Sequence, residues 1–124
     1  PLARIVSSGV SGLNPEIMGL GPIEAIRQAL GRAKMTIDQI DLVEINEAFA
    51  CQVIGSAKHL GIDLDKQMNV HGGAIALGHP FGMTGARIMT TLIHGLQETN
   101  KTFGLETMCV GGGQGLAMIV ERLS

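Results

Sequence analysis

The chain has 124 residues, enough for one domain with a single core. A formal net charge of −2, no basic cluster and only three aromatic residues, all Phe, argue against nucleic acid and anionic membrane as partners. Hydrophobic residues make up 45% and charged residues 16%, so part of the surface is expected to be covered by another domain or subunit. Two cysteines, Cys51 and Cys109, read as reduced thiols of a cytoplasmic protein rather than as a disulfide framework. Their spacing from the four histidines does not suit a metal site. The chain opens at Pro1 on a strand-like segment, which points to a piece of a longer polypeptide.

Leu2 to Val10 reads as a strand buried on both faces. Ser11 to Pro22 is loop material with three glycines and two prolines, and Pro22 suits the first turn of a helix. Ile23, Ile26, Leu30 and Ala33 then recur at helical spacing. Thr36 to Gln39 fits a capping box. Leu42 to Ile45 is a short strand that hands over at Asn46-Glu47 to a helix carrying Phe49, Val53, Ala57 and Leu60, closed by Gly61. Met68 to Val70 is a further short strand. A glycine loop follows, then a helix with Ala86, Met89, Leu92 or Ile93, and Leu96 on its apolar face. Leu105 to Val110 and Leu116 to Val120 are strands joined through Gly111 to Gly115. This order predicts an α/β fold: a mostly parallel, mixed five-stranded sheet covered by helices, with the last hairpin adding an antiparallel strand. Sites in such sheets gather at the carboxyl ends of strands.

Three stretches carry candidate chemistry. His71 to Arg87 (HGGAIALGHPFGMTGAR) holds five glycines, and Pro80 pushes His79 out of the α region, so His79 sits on a pinned loop before a helix. The stretch reads either as a structural turn or as a site where free N–H groups favour developing negative charge. Cys109 ends a strand before three glycines. It reads either as a small buried hydrophobe or as a thiol that modest tuning brings near neutrality for proton exchange. Asn46 reads either as a helix N-cap or as a polar group that orients water or substrate. Cys51, inside a helix, reads as packing. Met18, in an irregular loop, suits core filling or the wall of a ligand site.

Together the segments NEAFA (Asn46–Ala50), GGAIALGHPFGMTGAR and CVGGGQG (Cys109–Gly115) resemble the three signature blocks of the thiolases, in family order and spacing. PLARIV, IMGLGP and MIVER are similar to that family as well, so the resemblance covers essentially the whole chain. It implies the C-terminal domain of an acetyl-CoA acetyltransferase or 3-ketoacyl-CoA thiolase, one of two similar halves of a five-layered α-β-α-β-α fold. The resemblance implies that His79 helps activate the nucleophile and donates an N–H to the thioester or enolate oxygen. It makes Asn46 the holder of a water facing that oxygen, Cys109 the acid/base cysteine, and Gly111 the backbone donor of a second oxyanion hole. Met18 and Phe49 match residues near the acyl and pantetheine pocket. The substrates implied are coenzyme A thioesters, with acetoacetyl-CoA favoured and no separate cofactor. The implied partners are an N-terminal thiolase domain and further copies in a homodimer or homotetramer. Neither Cys51 nor Cys109 matches the family's acyl-carrying nucleophile, so the chain alone is expected to be inactive. A thiolase-like module that binds acyl-CoA or a protein without catalysis is the alternative, and a ketoacyl synthase relative is a third reading.

Overall fold

The computed structural model describes residues 1–124. Its strands are β1 (Ala3–Gly12), β2 (Leu42–Ile45), β3 (Phe103–Val110) and β4 (Gln114–Arg122), and its helices are α1 (Gly21–Ala33), α2 (Ala50–Leu60), α3 (Ala74–Leu77) and α4 (Thr84–Glu98). They form one mixed sheet in the order β1-β4-β3-β2. The α/β reading with helices over a mixed sheet holds, but the sheet has four strands rather than five. Met68 reaches Val43 only through an isolated parallel bridge, because Asn69 turns into a left-handed conformation (φ 47°) straight after it.

The expectation of a mostly parallel sheet also needs correction. β1, β2 and β3 do share a direction. Yet β4 returns between β1 and β3, so both of its ladders are antiparallel and only β2–β3 is parallel. This placement makes β1 an edge strand. Ile5 and Val10 are 64% and 57% exposed, where the sequence suggested burial on both faces.

Helices cover both faces of the sheet. On one face Ala25, Ile26 and Ala29 of α1 and Val53 and Ala57 of α2 pack on Val43, Ile45, Leu105, Ala117 and Ile119. On the other, Leu92 and Leu96 of α4 pack on Leu42 and Val120. Burying each large aliphatic side chain stabilises the fold by about 1.5–3 kcal/mol. Small residues set the α1 contact. Any β-carbon on Gly9 would overlap the Ala25 carbonyl oxygen, so β1 and α1 touch backbone to backbone. The inner face of α1 is therefore Ala25, Ile26 and Ala29, while Ile23, Leu30 and Ala33 lie at its margin. In α4, Ile88, Leu92 and Leu96 face inward and Ala86 is exposed, about one residue off the expected stripe.

The connections follow local chemistry. Pro15–Leu20 forms a 3-10 turn within the expected loop. The capping box at Thr36 forms through Gln39, whose Oε1 accepts the Thr36 N–H at 2.9 Å. Gly61 closes α2 at φ 75°, as a C-terminal glycine should.

Candidate active site

Asn46 lies just beyond β2 and is fully buried. It does not cap α2. That helix starts three residues later than its sequence suggested, with extended Phe49 at the N-cap and no side-chain cap. The Asn46 amide turns instead to the glycine loop, where its Nδ2 lies 3.2 Å from His79 Nε2. His79 Nδ1 in turn lies 2.7 Å from the Thr84 hydroxyl at the start of α4. Asn46 Oδ1 is buried and has no protein partner, so the amide keeps one acceptor for a small polar group.

Glu47, the next residue, holds the glycine loop rather than the start of α2. Its Oε2 accepts the Ile75 N–H at 2.9 Å in the first turn of α3, and its Oε1 accepts from Asn69 Nδ2 at 2.9 Å. The loop passes so close that a β-carbon on Gly73 would overlap this carboxylate. The Asn69 side chain also bonds both the N–H and the carbonyl of Ile45, at 2.8 and 2.9 Å. The end of β2 and the histidine loop are thus one hydrogen-bonded unit.

Cys109 reaches the same place from β3 and is 6% exposed. Burial pushes its thiol above the ordinary value, and a hydrogen bond to its own backbone opposes this in part. In this chain the shift therefore runs away from neutrality, and the group is a thiol at neutral pH. Gly111 follows on the exposed β3–β4 turn, its carbonyl accepting Gln114 Nε2 at 2.9 Å. Gly112 and Gly113 both take φ 86°, which favours glycine, and Leu13 N–H donates to the Gly113 carbonyl at 2.8 Å.

A cleft of about 430 Å³ opens over these groups, lined by Met18, Ala48, His79, Phe81, Met108, Cys109, Val110 and Gly111. Its wall is mostly apolar and its few polar groups converge, as small-molecule sites do. Of the residues singled out from the sequence, His79, Cys109, Gly111 and Met18 line it, and Asn46 supports His79 from below. Phe49 does not line it and is 67% exposed on the α2 side. Cys51 is exposed, not packed. Sequence reasoning missed Phe81, whose ring stands edge-on to His79 with centroids 5.0 Å apart, and Thr84. A hydroxyl at a helix start five residues after a pinned histidine was the available signal for Thr84.

The profile described as "Thiolase, C-terminal domain" matches residues 1–122. This chain belongs to the thiolase family. It is 54% identical over 124 residues to the acetyl-CoA acetyltransferase of Escherichia coli, covering 100% of this chain and 31% of that one. Similarity to the 3-ketoacyl-CoA thiolase of Chromohalobacter salexigens is equal at 54%, over 99% of this chain and 32% of the relative. Among solved structures, human mitochondrial 3-ketoacyl-CoA thiolase in complex with CoA superposes with a TM-score of 0.96 at 48% identity, over 100% of this chain and 31% of that one. The chain thus spans about a third of the length of the thiolases it matches. No helix in it is long and apolar enough to cross a membrane.

Proposed function

We propose that this chain supplies the C-terminal part of the active site of a thiolase that transfers an acyl group between coenzyme A thioesters. The observation that carries the reading is the convergence of His79, Cys109 and Gly111 on one cleft, with Asn46 bonded to His79 beneath it.

The chemistry follows from these positions. The acyl group rides on a cysteine of the N-terminal part, since neither Cys51 nor Cys109 occupies the nucleophile's place in the family pattern. His79 Nε2 takes the proton of that thiol as it attacks the acyl donor; the C–S bond to coenzyme A breaks, and the departing CoA thiolate takes the Cys109 proton and leaves as the free thiol. In condensation, the Cys109 thiolate removes a proton from the methyl carbon of acetyl-CoA: the C–H bond breaks and an S–H bond forms. Charge moves onto the thioester oxygen as an enolate. His79 Nε2–H and a water held by Asn46 Oδ1 stabilise it, because fixed donors in a water-poor site are worth more than solvent. The enolate carbon attacks the acyl carbonyl, a C–C bond forms, and the tetrahedral oxyanion faces the Gly111 N–H. Collapse releases acetoacetyl-CoA and the nucleophile's thiolate. Thiolysis is the reverse, with Cys109 returning the proton. Coenzyme A thioesters suffice as reactants and no further cofactor enters.

Cys109 is a thiol in this chain, and α-proton removal needs its thiolate. The departing CoA thiolate is the acceptor that takes the Cys109 proton, and the N-terminal part, which carries the acyl group, faces the same cleft. That part also covers the free edge of β1 and the apolar groove of about 370 Å³ beside it, lined by Leu2, Ile5, Met89 and Ile93 among others. A cytoplasmic homodimer or homotetramer is the assembly we place it in. Acetoacetyl-CoA is the substrate we favour.

The test uses the full-length protein. Cys109→Ala should abolish exchange of the α-protons of acetyl-CoA with solvent while the nucleophile is still acylated. Normal exchange in that variant would remove Cys109 from the mechanism. Loss of acylation as well would point to a misfolded site or to a binding module without catalysis.

A further inference from the structure

We infer that Thr84 is a positioning residue that fixes which nitrogen of His79 carries the proton. Only the kinetic consequence of this inference rests on the thiolase reading above.

The donor count makes the argument. Thr84 Oγ1 lies 2.7 Å from His79 Nδ1 and 3.0 Å from the Pro80 carbonyl oxygen. A carbonyl can only accept, so the single hydroxyl proton goes to Pro80 and an oxygen lone pair faces Nδ1. The ring proton therefore sits on Nδ1 and is donated to Thr84. At the other end of the ring, Nε2 keeps its lone pair and accepts the Asn46 Nδ2–H at 3.2 Å. The chain of bonds runs in one direction, from Asn46 through His79 and Thr84 to Pro80. The Asn46 and Thr84 side chains that flank the ring are both 0% exposed, so water does not compete for them.

The bond to Pro80 is the i−4 back-bond that Thr90 and Thr99 also make, to the Ala86 and Gly95 carbonyls, and the Pro80 carbonyl accepts the Met83 N–H at 2.9 Å as well; what sets Thr84 apart is that its oxygen also faces a histidine nitrogen. The N-cap of α4 is Met83, with no side-chain cap, and the Thr84 N–H already bonds the Pro80 carbonyl at 3.1 Å. Its hydroxyl turns back over the same carbonyl and so stands between the histidine and the helix that follows it.

The consequence is chemical. A histidine that starts the reaction as a base must hold a lone pair on the nitrogen that meets the incoming thiol. With the proton fixed on Nδ1, that nitrogen is Nε2, and once protonated it becomes the N–H donor the enolate oxygen requires. Without the hydroxyl, the Nδ1 proton has no acceptor. The proton then moves to Nε2, where it meets the Asn46 N–H, and the base is lost in the resting state.

The experiment is nitrogen NMR of the full-length protein with labelled histidine, near neutral pH, combined with steady-state kinetics on acetoacetyl-CoA and CoA. Wild type should show neutral His79 protonated on Nδ1, and Thr84→Ser, which keeps the hydroxyl, should match it. Thr84→Val keeps the shape and removes the hydroxyl; it should move the proton to Nε2 and lower kcat by about ten- to a hundredfold, with KM changed by less than about threefold. Wild type protonated on Nε2 would overturn the inference. So would a Thr84→Val protein that keeps the Nδ1 proton, whatever its kcat, or one that shifts the proton and loses no activity. If Thr84→Val does not fold, the wild-type and Thr84→Ser spectra decide the matter. A wild-type protein with no turnover would overturn the thiolase reading while the spectra still decided the role of Thr84.

Discussion

Glu44 on β2 and Glu106 on β3 are register partners on neighbouring parallel strands, and both are buried on the sheet face that α4 covers. Leu42, two residues before Glu44, packs on Leu92 and Leu96, and a β-carbon on Gly104, two before Glu106, would press on the same two leucines. Strand alternation then puts both carboxylates on that face. One oxygen of each has no hydrogen-bond partner. Burial pushes Glu44 up to about 7, with Arg87 opposing and Glu47 adding to the shift. Burial alone pushes Glu106 up to about 7.

These carboxylates predict a pH dependence of stability. Their folded pKa lies above the unfolded value, so the folded state holds more protons in the window from the ordinary value of 4.5 to about 7. Stability should fall as pH rises through that window and level off above it. Glu106 has no cationic partner, so Glu106→Gln should remove its share, on the order of a few kcal/mol at most. Urea unfolding on both sides of the window checks this. A Glu106→Gln protein with the same pH slope as wild type would show that the carboxylate is not the cause.

Arg87 faces Glu44 at 3.5 Å from the first turn of α4, with its side chain 15% exposed. Arg87→Met should destabilise the fold by roughly 3 kcal/mol at alkaline pH, because it leaves a buried charge alone. The loss should shrink in mild acid, where Glu44 takes a proton. Equal losses at both pH values would mean that packing of the arginine stem, not its charge, is what matters.

Gly112 and Gly113 share φ 86° but differ in their surroundings. A β-carbon on Gly112 has room, so Gly112→Ala should cost about 1–2 kcal/mol, the price of a left-handed conformation. On Gly113 it would overlap the Leu13 carbonyl oxygen, so Gly113→Ala must also displace the turn that carries Gly111. We expect at least twice the loss there, read as a difference in thermal midpoint between the two variants.

Cys51 is exposed and Cys109 buried, with the Cys109 thiol pushed further from its reactive form by burial. A thiol reagent added to the folded chain should therefore modify Cys51 first and Cys109 much more slowly. Cys51→Ser should abolish the fast phase and leave the slow one. Loss of the slow phase instead would reverse the assignment.

Much of this protein is local, and what is local was legible in its sequence. The helical spacing of α1, the short apolar run of β2, the glycine stop at Gly61 and the hairpin at Gly111–Gly113 each follow from a few neighbouring residues. The same holds for the three motif stretches that carry Asn46, His79 and Cys109. Physical chemistry alone left all three ambiguous, since a structural glycine turn, a buried thiol and a helix-capping asparagine explain the same letters. Resemblance to the thiolases favoured the functional reading of each.

Tertiary structure decided what depends on distant partners. The return of β4 between β1 and β3 turned an expected mostly parallel sheet into one with a single parallel ladder, and no local period encodes strand order. Asn69 ended the Met68 segment after one bridge by spending its side chain on Ile45 and Glu47. Asn46 became a partner of His79, 33 positions further on, rather than a cap, because the intervening chain folded the glycine loop back over β2. Thr84 and Phe81 gained their places by the same closure. Hydrogen-bond partners far apart in the chain are chosen by geometry, and geometry is settled only when the helices have packed on the sheet.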